Sequence, residues 1–344
     1  MNDRRNGERR GEQTLNISGT PFVMIGIINH NRSVDLIECV RSILNCTYPN
    51  FEIFLVDSGS SDDSVIRIRE AFPSILLKRV ERNLGPAGAR NIIFNVAREK
   101  RPDYLLMLDN DTIVEKGFIE PLVDAMERNA NAATAGGTIL EYENPGIIWF
   151  AGGHLVPLRG LAVHDRKGEK FDRSNPGSVR QISFITSCMI MFRGSLLDKI
   201  GHQDERFFPR LEDIEHAARI NRLGNRQLYV PESVIYHKVG GEKQSTFKLY
   251  YSVRNRLMLA RIGFGGVSGT IAALYFPVVI TLKLVFWRMT HPEFYVAAKA
   301  GLEDYFNGTM GEGRGMALFA DTRTMGSDSG SDAGIVTGVS KKNR

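Results

Sequence analysis

The stretch Tyr104-Leu105-Leu106-Met107-Leu108-Asp109-Asn110-Asp111 sets five apolar side chains directly before two carboxylates. A short run that is apolar at every position fits a strand buried on both faces of a parallel sheet. The same signature recurs upstream, where residues 22–28 run apolar into Asn29 and residues 53–56 run into Asp57; residues 75–80 read as a further strand. Between the first two, Val34, Ile37, Val40, Ile43 and Leu44 recur at helical spacing behind Ser33, an N-cap residue type. A second helix is predicted from about Pro86 to Glu99, with proline near its first turn. This alternation predicts an α/β fold with a mainly parallel, Rossmann-like central sheet and helices on both faces. Ligands of such open sheets bind at the carboxyl ends of the strands, so the loops opening at Asn29, Asp57 and Asp109 form the candidate site.

Working outward toward the carboxyl terminus, residues 182–192 read as another strand and 196–200 as a short helix. Residues 212–223 form a helix closed by Gly224, and 227–230 and 234–236 are short strands near the sheet edge. From Leu249 the character changes. Tyr250, Tyr251, Val253, Leu257, Leu259, Ile262 and Phe264 alternate with Arg254, Arg256 and Arg261, as on a basic amphipathic helix. Residues 269–287 are mostly apolar but enclose Pro277 and Lys283; an interfacial or re-entrant helix, a membrane span and a buried soluble helix all fit, in that order of preference. The expected organisation is a disordered segment 1–20, an α/β domain 21–248, a helical membrane-associating region 249–315 and a disordered tail 316–344.

Composition narrows the function. With 42% hydrophobic and 24% charged residues over 344 positions, the chain can bury a sizeable core, which excludes a disordered, collagen-like or disulfide-scaffold protein. The net charge of +5 suits phosphorylated ligands or an anionic membrane surface, and no basic run with interleaved aromatics marks a nucleic-acid partner. Cys39, Cys46 and Cys188 have no paired or metal-ligand spacing, which fits a reducing compartment. The charged amino terminus lacks the apolar run of a secretory signal, so a cytoplasmic protein is expected.

Asp109 and Asp111 are oxygen ligands of the kind that suits Mg²⁺ or Mn²⁺, although an Asp-x-Asp taken alone is more often an Asx turn. Asp57 opens a loop of small residues with room for a flat ring, and Asp57 can accept from a base N–H, while Ser61 and Asp62 fit a turn capping the next helix. The loop from Asn83 enters a helix whose small residues allow close approach, with Arg90 available to a phosphate or to Asp109. No Gly-Lys-Ser/Thr follows, so it is not a P-loop, and the first strand lacks the glycine pattern of nicotinamide and flavin enzymes. Glu212 and Asp213 open a helix after Phe207-Phe208-Pro209, where carboxylates serve either the helix dipole or, beside an apolar wall, general-base chemistry. His237 ends a β-branched strand, a position where a single histidine is more often structural than a ligand.

In their order and spacing these motifs resemble the family 2 glycosyltransferases, inverting nucleotide-sugar enzymes with the GT-A fold, and in particular their bacterial rhamnosyltransferase-like branch. The resemblance runs from about Phe22 to Gly315 and rests on Asn29-His30-Asn31-Arg32, residues 56–62, residues 83–91, Leu108-Asp109-Asn110-Asp111, Phe207-Phe208 with Glu212-Asp213, His237, and Tyr250-Tyr251 with Arg254-Asn255. It implies that Asn31, Asp57, Asn83, Arg90, Asp109 and Asn110 bind the nucleotide-sugar. It further implies Asp109, Asp111 and His237 at a Mg²⁺ or Mn²⁺ site, and Asp213 with Glu212 as the catalytic carboxylates. Ile185-Thr186-Ser187-Cys188 stands where many relatives carry a Gly-rich acceptor segment, and the Gln-x-x-Arg-Trp motif of processive synthases is absent. The implied activity is metal-dependent transfer of a single sugar, from a dTDP- or UDP-linked donor, to a glycan or lipid-linked glycan acceptor in cell-surface polysaccharide biosynthesis. The implied location is the cytoplasmic face of the membrane. A noncatalytic glycan- or nucleotide-binding subunit of the same fold is the alternative, and a sugar nucleotidyltransferase ranks last because the loop after the first strand has no glycine.

Overall fold

The computed structural model describes residues 19–238 and 245–319; the segment 1–18 and the tail from 320 onward, both expected to be disordered, lie outside these residues. The amino-terminal half alternates as predicted: β1 (Val23–Asn29), α1 (Ser33–Leu44), β2 (Phe51–Ser58), α2 (Ser64–Ala71), β3 (Leu76–Val80), α3 (Gly85–Lys100) and β4 (Tyr104–Asp109). Every residue of β1 and β4 is buried, as continuous apolar strands require. Gly26 has a steric reason to be glycine, since a Cβ there would meet the Ile93 side chain of α3 at 2.4 Å. α1 begins one residue earlier than a Ser33 cap implies. Arg32 holds the cap position at φ 66°, and the Ser33 N–H is satisfied by Asp62.

The chain continues through β5 (Thr112–Val114), α4 (Glu120–Arg128), β6 (Ala132–Glu141), β7 (Ile148–Phe150), β8 (Gly153–Val156) and β9 (Leu161–His164). Then follow β10 (Arg180–Ile182), β11 (Met189–Arg193), α5 (Leu197–Ile200), α6 (Glu212–Arg222) and β12 (Arg226–His237). The main sheet has the order β10-β12-β6-β11-β4-β1-β2-β3. Strands β3, β2, β1 and β4 are mutually parallel, as are β6 and β12, whereas β11 lies antiparallel between β4 and β6. Two expectations are corrected. Residues 182–192 are not one strand, because the chain leaves β10 and turns through Ser187-Cys188 before β11 enters the sheet elsewhere. The two short strands at 227–230 and 234–236 are one long strand, β12, whose register shifts between Val230 and Val234 around Pro231.

The carboxyl-terminal part is α7 (Thr246–Ile262), α8 (Gly266–Thr290), α9 (Pro292–Phe306) and α10 (Gly315–Phe319). α7 is not the surface amphipathic helix its arginines imply. Tyr250, Tyr251, Arg254 and Asn255 are fully buried, and α7 forms an apolar cluster with α8 and α9 that includes Phe208. Residues 316–319, expected to begin the disordered tail, belong to α10, whose Gly315 packs on Tyr250 and Tyr251. α8 is long and apolar enough to cross a membrane. One side of it, Gly269, Ala272, Phe276 and Ile280, packs on the body, while Leu274, Val278, Leu282, Val285, Phe286 and Met289 are exposed.

Candidate active site

Strand register levels the polar strand ends. Asn29 lies opposite Asp57 and Ile28 opposite Asp109, so three loops open side by side at the carboxyl edge of β1, β2 and β4. The Asn29 amide nitrogen donates to Asp57 at 3.0 Å and to Ser60 Oγ at 3.1 Å, while its oxygen accepts from Asn110 at 2.6 Å. Asp57 also accepts from the Ser60 N–H at 3.1 Å. Asn31, at φ 60°, is tied to the same turn, its N–H donating to Ser60 Oγ and its Oδ1 accepting from the Ser61 N–H at 2.9 Å. Asp62 caps two helices at once, accepting from the first N–H groups of α1 and α2.

Arg90 is 3% exposed and reaches across the floor of the site from α3. Its Nη2 donates to Asp109 at 2.7 Å and its Nη1 to Glu212 at 3.1 Å. The second oxygens of Asp109, Glu212 and Asp213 are buried and accept no hydrogen bond among the described residues. Burial pushes Asp109 upward, Arg90 partly opposing it, and the neighbouring Asp111 adds to the rise. Asp213 is pushed up to about 8, by burial and then by the adjacent Glu212. Its remaining oxygen accepts from the Ile214 N–H at 2.8 Å.

Asp111 goes the other way. Burial raises it, but His237 and Arg32 outweigh burial and hold the carboxyl below its ordinary range. His237 comes there because β12 pairs with β5, setting His237 opposite Thr112 and its Nε2 3.2 Å from Asp111. Trp149 stands against the His237 ring, edge to face at 4.8 Å. Arg32 donates to the other Asp111 oxygen at 2.5 Å.

The structure thus gathers Asp57, Arg90, Asp109, Asn110, Asp111, Glu212, Asp213 and His237 along one sheet edge. Asn83 is engaged differently, its Oδ1 accepting from the Gly85 N–H at the start of α3. Asn29, Arg32 and Trp149 carry no assigned role in the sequence reading. Asn29 had a signal, a polar residue ending a buried strand; Arg32 and Trp149 depend on backbone geometry and strand pairing that spacing does not show. Among the described residues no three His, Cys, Asp or Glu side chains converge as a ready-made metal cage.

The sequence profile of the family described as Glycosyl transferase family 2 matches residues 24–201, more than half of the chain. The chain belongs to glycosyltransferase family 2. This family 2 enzyme is 33% identical to Glycosyltransferase GlyG of Streptococcus pneumoniae serotype 4, over 63% of its own length and 71% of the relative's. It is 24% identical to the N-acetylglucosaminyl-diphospho-decaprenol L-rhamnosyltransferase of Mycobacterium tuberculosis, over 64% of this chain and 77% of that one. A solved mannosyltransferase, PcManGT of Pyrobaculum calidifontis in complex with GDP-Man and Mn²⁺, matches with a TM-score of 0.50 at 16% identity, covering 88% of this chain and 79% of that one. That likeness carries the GT-A fold of this glycosyltransferase.

Proposed function

We propose that the enzyme transfers a single sugar, with inversion, from a dTDP- or UDP-linked donor to a hydroxyl of a glycan or lipid-linked glycan acceptor in cell-surface polysaccharide assembly. The observation that carries this reading is Asp213: a buried carboxyl with one oxygen free of hydrogen bonds, raised toward neutral pH, beside the Arg90–Asp109 pair. Such a group takes a proton from an acceptor hydroxyl as that oxygen attacks the anomeric carbon from the face opposite the diphosphate. Glu212, anchored by Arg90, stands beside Asp213 at the start of α6.

At the other end of the donor, Asp57 accepts from the N–H of a pyrimidine base, within the turn that Asn29, Asn31 and Ser60 hold in shape. Asn110, bonded to Asn29, and Asp109 are the groups this reading assigns to the nucleotide beyond the base, with Asp109 toward the ribose. Asn83 supports the α3 entrance, behind which Arg90 sits. The free oxygen of Asp109, with Asp111 beside His237, fits Mg²⁺ or Mn²⁺, which take one or two protein carboxylates and complete their shell with phosphate oxygens and water. The ion, when bound, neutralises charge on the leaving diphosphate. The exposed apolar face of α8 supports a place on the cytoplasmic surface of the membrane, within reach of a lipid-linked acceptor.

Calorimetry with UDP, dTDP, GDP and CMP, with and without Mn²⁺, tests the donor class. Metal-dependent binding of UDP or dTDP is the expected outcome, and binding of none by folded protein contradicts the proposal.

A further inference from the structure

Arg210 and Leu211, the two residues before α6, both sit in the left-handed region, at φ 80° and 69°. Residues with side chains rarely adopt this conformation, and two in succession persist only where the surroundings hold them. What holds them here is α7. The Asn255 amide nitrogen donates to the carbonyls of Pro209 at 2.8 Å and Arg210 at 2.9 Å. Arg254 Nη2 donates to the carbonyl of Phe208 at 2.9 Å and, across the bundle, to that of Gly311 at 2.6 Å. Arg254 Nε also donates to Asn255 Oδ1 at 3.0 Å, which fixes the face of the amide that meets the loop.

Both side chains are fully buried, so these bonds face no competition from water. Tyr250 and Tyr251 lie under the Arg254 guanidinium, and Tyr251 in turn backs Phe208. Phe208 fills the space where a Cβ on Gly85 would stand, 2.1 Å from its ring, so the same loop is wedged against the start of the helix that carries Arg90. Three successive carbonyls, those of residues 208, 209 and 210, are therefore pinned immediately before Glu212 and Asp213 open α6.

We infer that Arg254 and Asn255 are positioning residues for the general base: their clamp on residues 208–210 sets where the Asp213 carboxylate stands relative to the Arg90–Asp109 pair. The inference rests on the proposed reading of Asp213 as the base. It gives the carboxyl-terminal helices a part in the transfer step. The hydrogen bonds of the two residues reach none of the groups assigned to the nucleotide, so the clamp acts on turnover and not on donor binding.

The test is Asn255→Asp, which keeps the shape but turns an oxygen toward two carbonyls. The expected result is a fall in kcat of about 100-fold, the cost of a base displaced by about 1 Å, with donor KM and calorimetric nucleotide affinity unchanged. Adding Arg210→Gly relieves the demand for positive φ, because glycine adopts it without strain, and part of the lost kcat returns relative to the Arg210→Gly single variant. Wild-type kcat in Asn255→Asp overturns the clamp, as does parallel loss of nucleotide affinity and cooperative unfolding without rescue by glycine. Asp213→Asn separates the two readings. If it is inactive while Asn255→Asp is normal, only the clamp fails; if Asp213→Asn turns over normally, the base assignment fails and the clamp's catalytic meaning goes with it.

Discussion

Arg90 and Asp109 form an ion pair of 2.7 Å sealed from solvent, and the same guanidinium spans to Glu212 at 3.1 Å. One side chain thus ties the end of β4 to the start of α6, elements far apart in sequence. Removing it leaves two buried carboxylates without their cation. Arg90→Ala is expected to lose about 3–5 kcal/mol of stability together with activity. Arg90→Lys restores little, since a point charge does not reproduce a fork that reaches two acceptors. Urea unfolding of both variants measures this.

Asp213→Asn is expected to lower kcat by about 10²–10⁴-fold while nucleotide affinity is kept, as for loss of a general base. Steady-state kinetics beside calorimetry on one preparation tests both halves.

The same substitution is expected to stabilise the fold. In the folded protein Asp213 holds its proton up to about pH 8, against an ordinary 3.8, so between those values the native state binds a proton that the unfolded chain releases. Stability conferred by this group is present below the lower value and is lost as pH rises toward the higher one. Asp213→Asn does not titrate. Its thermal midpoint is expected to exceed that of the wild type at about pH 8 and to converge with it in acid.

Activity runs opposite to that stability. A base must be ionised, so kcat/KM of the wild type is expected to climb with pH and level off above about 8. A pH–rate profile that is flat across the neutral range would remove Asp213 from the role.

Asp111→Ala leaves Arg32 and His237 without the carboxylate between them. The expected consequence is loss of the Mn²⁺-dependent part of nucleotide affinity, with the metal-independent part kept. Paired titrations with and without Mn²⁺ read the difference directly.

On α8, Leu274 and Leu282 are 68% and 67% exposed. Leu274→Glu with Leu282→Glu is expected to abolish co-sedimentation with anionic vesicles while the unfolding midpoint stays unchanged, because neither side chain belongs to the packed face. Equal sedimentation of the double variant would take α8 out of membrane association.

The first half of the fold was legible because β1, β2 and β4 declare themselves by apolar runs that end in polar loops, whereas the edge strand β3 carries Lys78 and Arg79 and is largely exposed. Legibility ended where a residue's surroundings come from elsewhere in the chain. Nothing in Met189–Arg193 says that it enters between β4 and β6 in the opposite sense. Arg254 reads as one of the arginines of a basic amphipathic helix, and only the carbonyls of Phe208 and Gly311 explain an arginine at zero exposure. The acidic residues of the site could be nominated from strand ends, but the contacts of Asp111 with Arg32 and His237 depend on a left-handed backbone at Arg32 and on β12 pairing with β5.

The antiparallel insertion of β11 also bears on how the chain reaches its native state. β4, which carries Asp109, has β1 on one side and β11 on the other, and the pairing of Leu108 with Met189 spans 81 residues, as does the bond between Asn29 and Asn110. Such distant partners must meet before either strand edge is covered, a topology that folds slowly. On the ribosome the first four strands emerge early and wait with the inner edge of β4 open. Chains truncated before residue 189 are therefore expected to aggregate, because the edge of β4 that β11 covers stays open until the middle of the chain has been made.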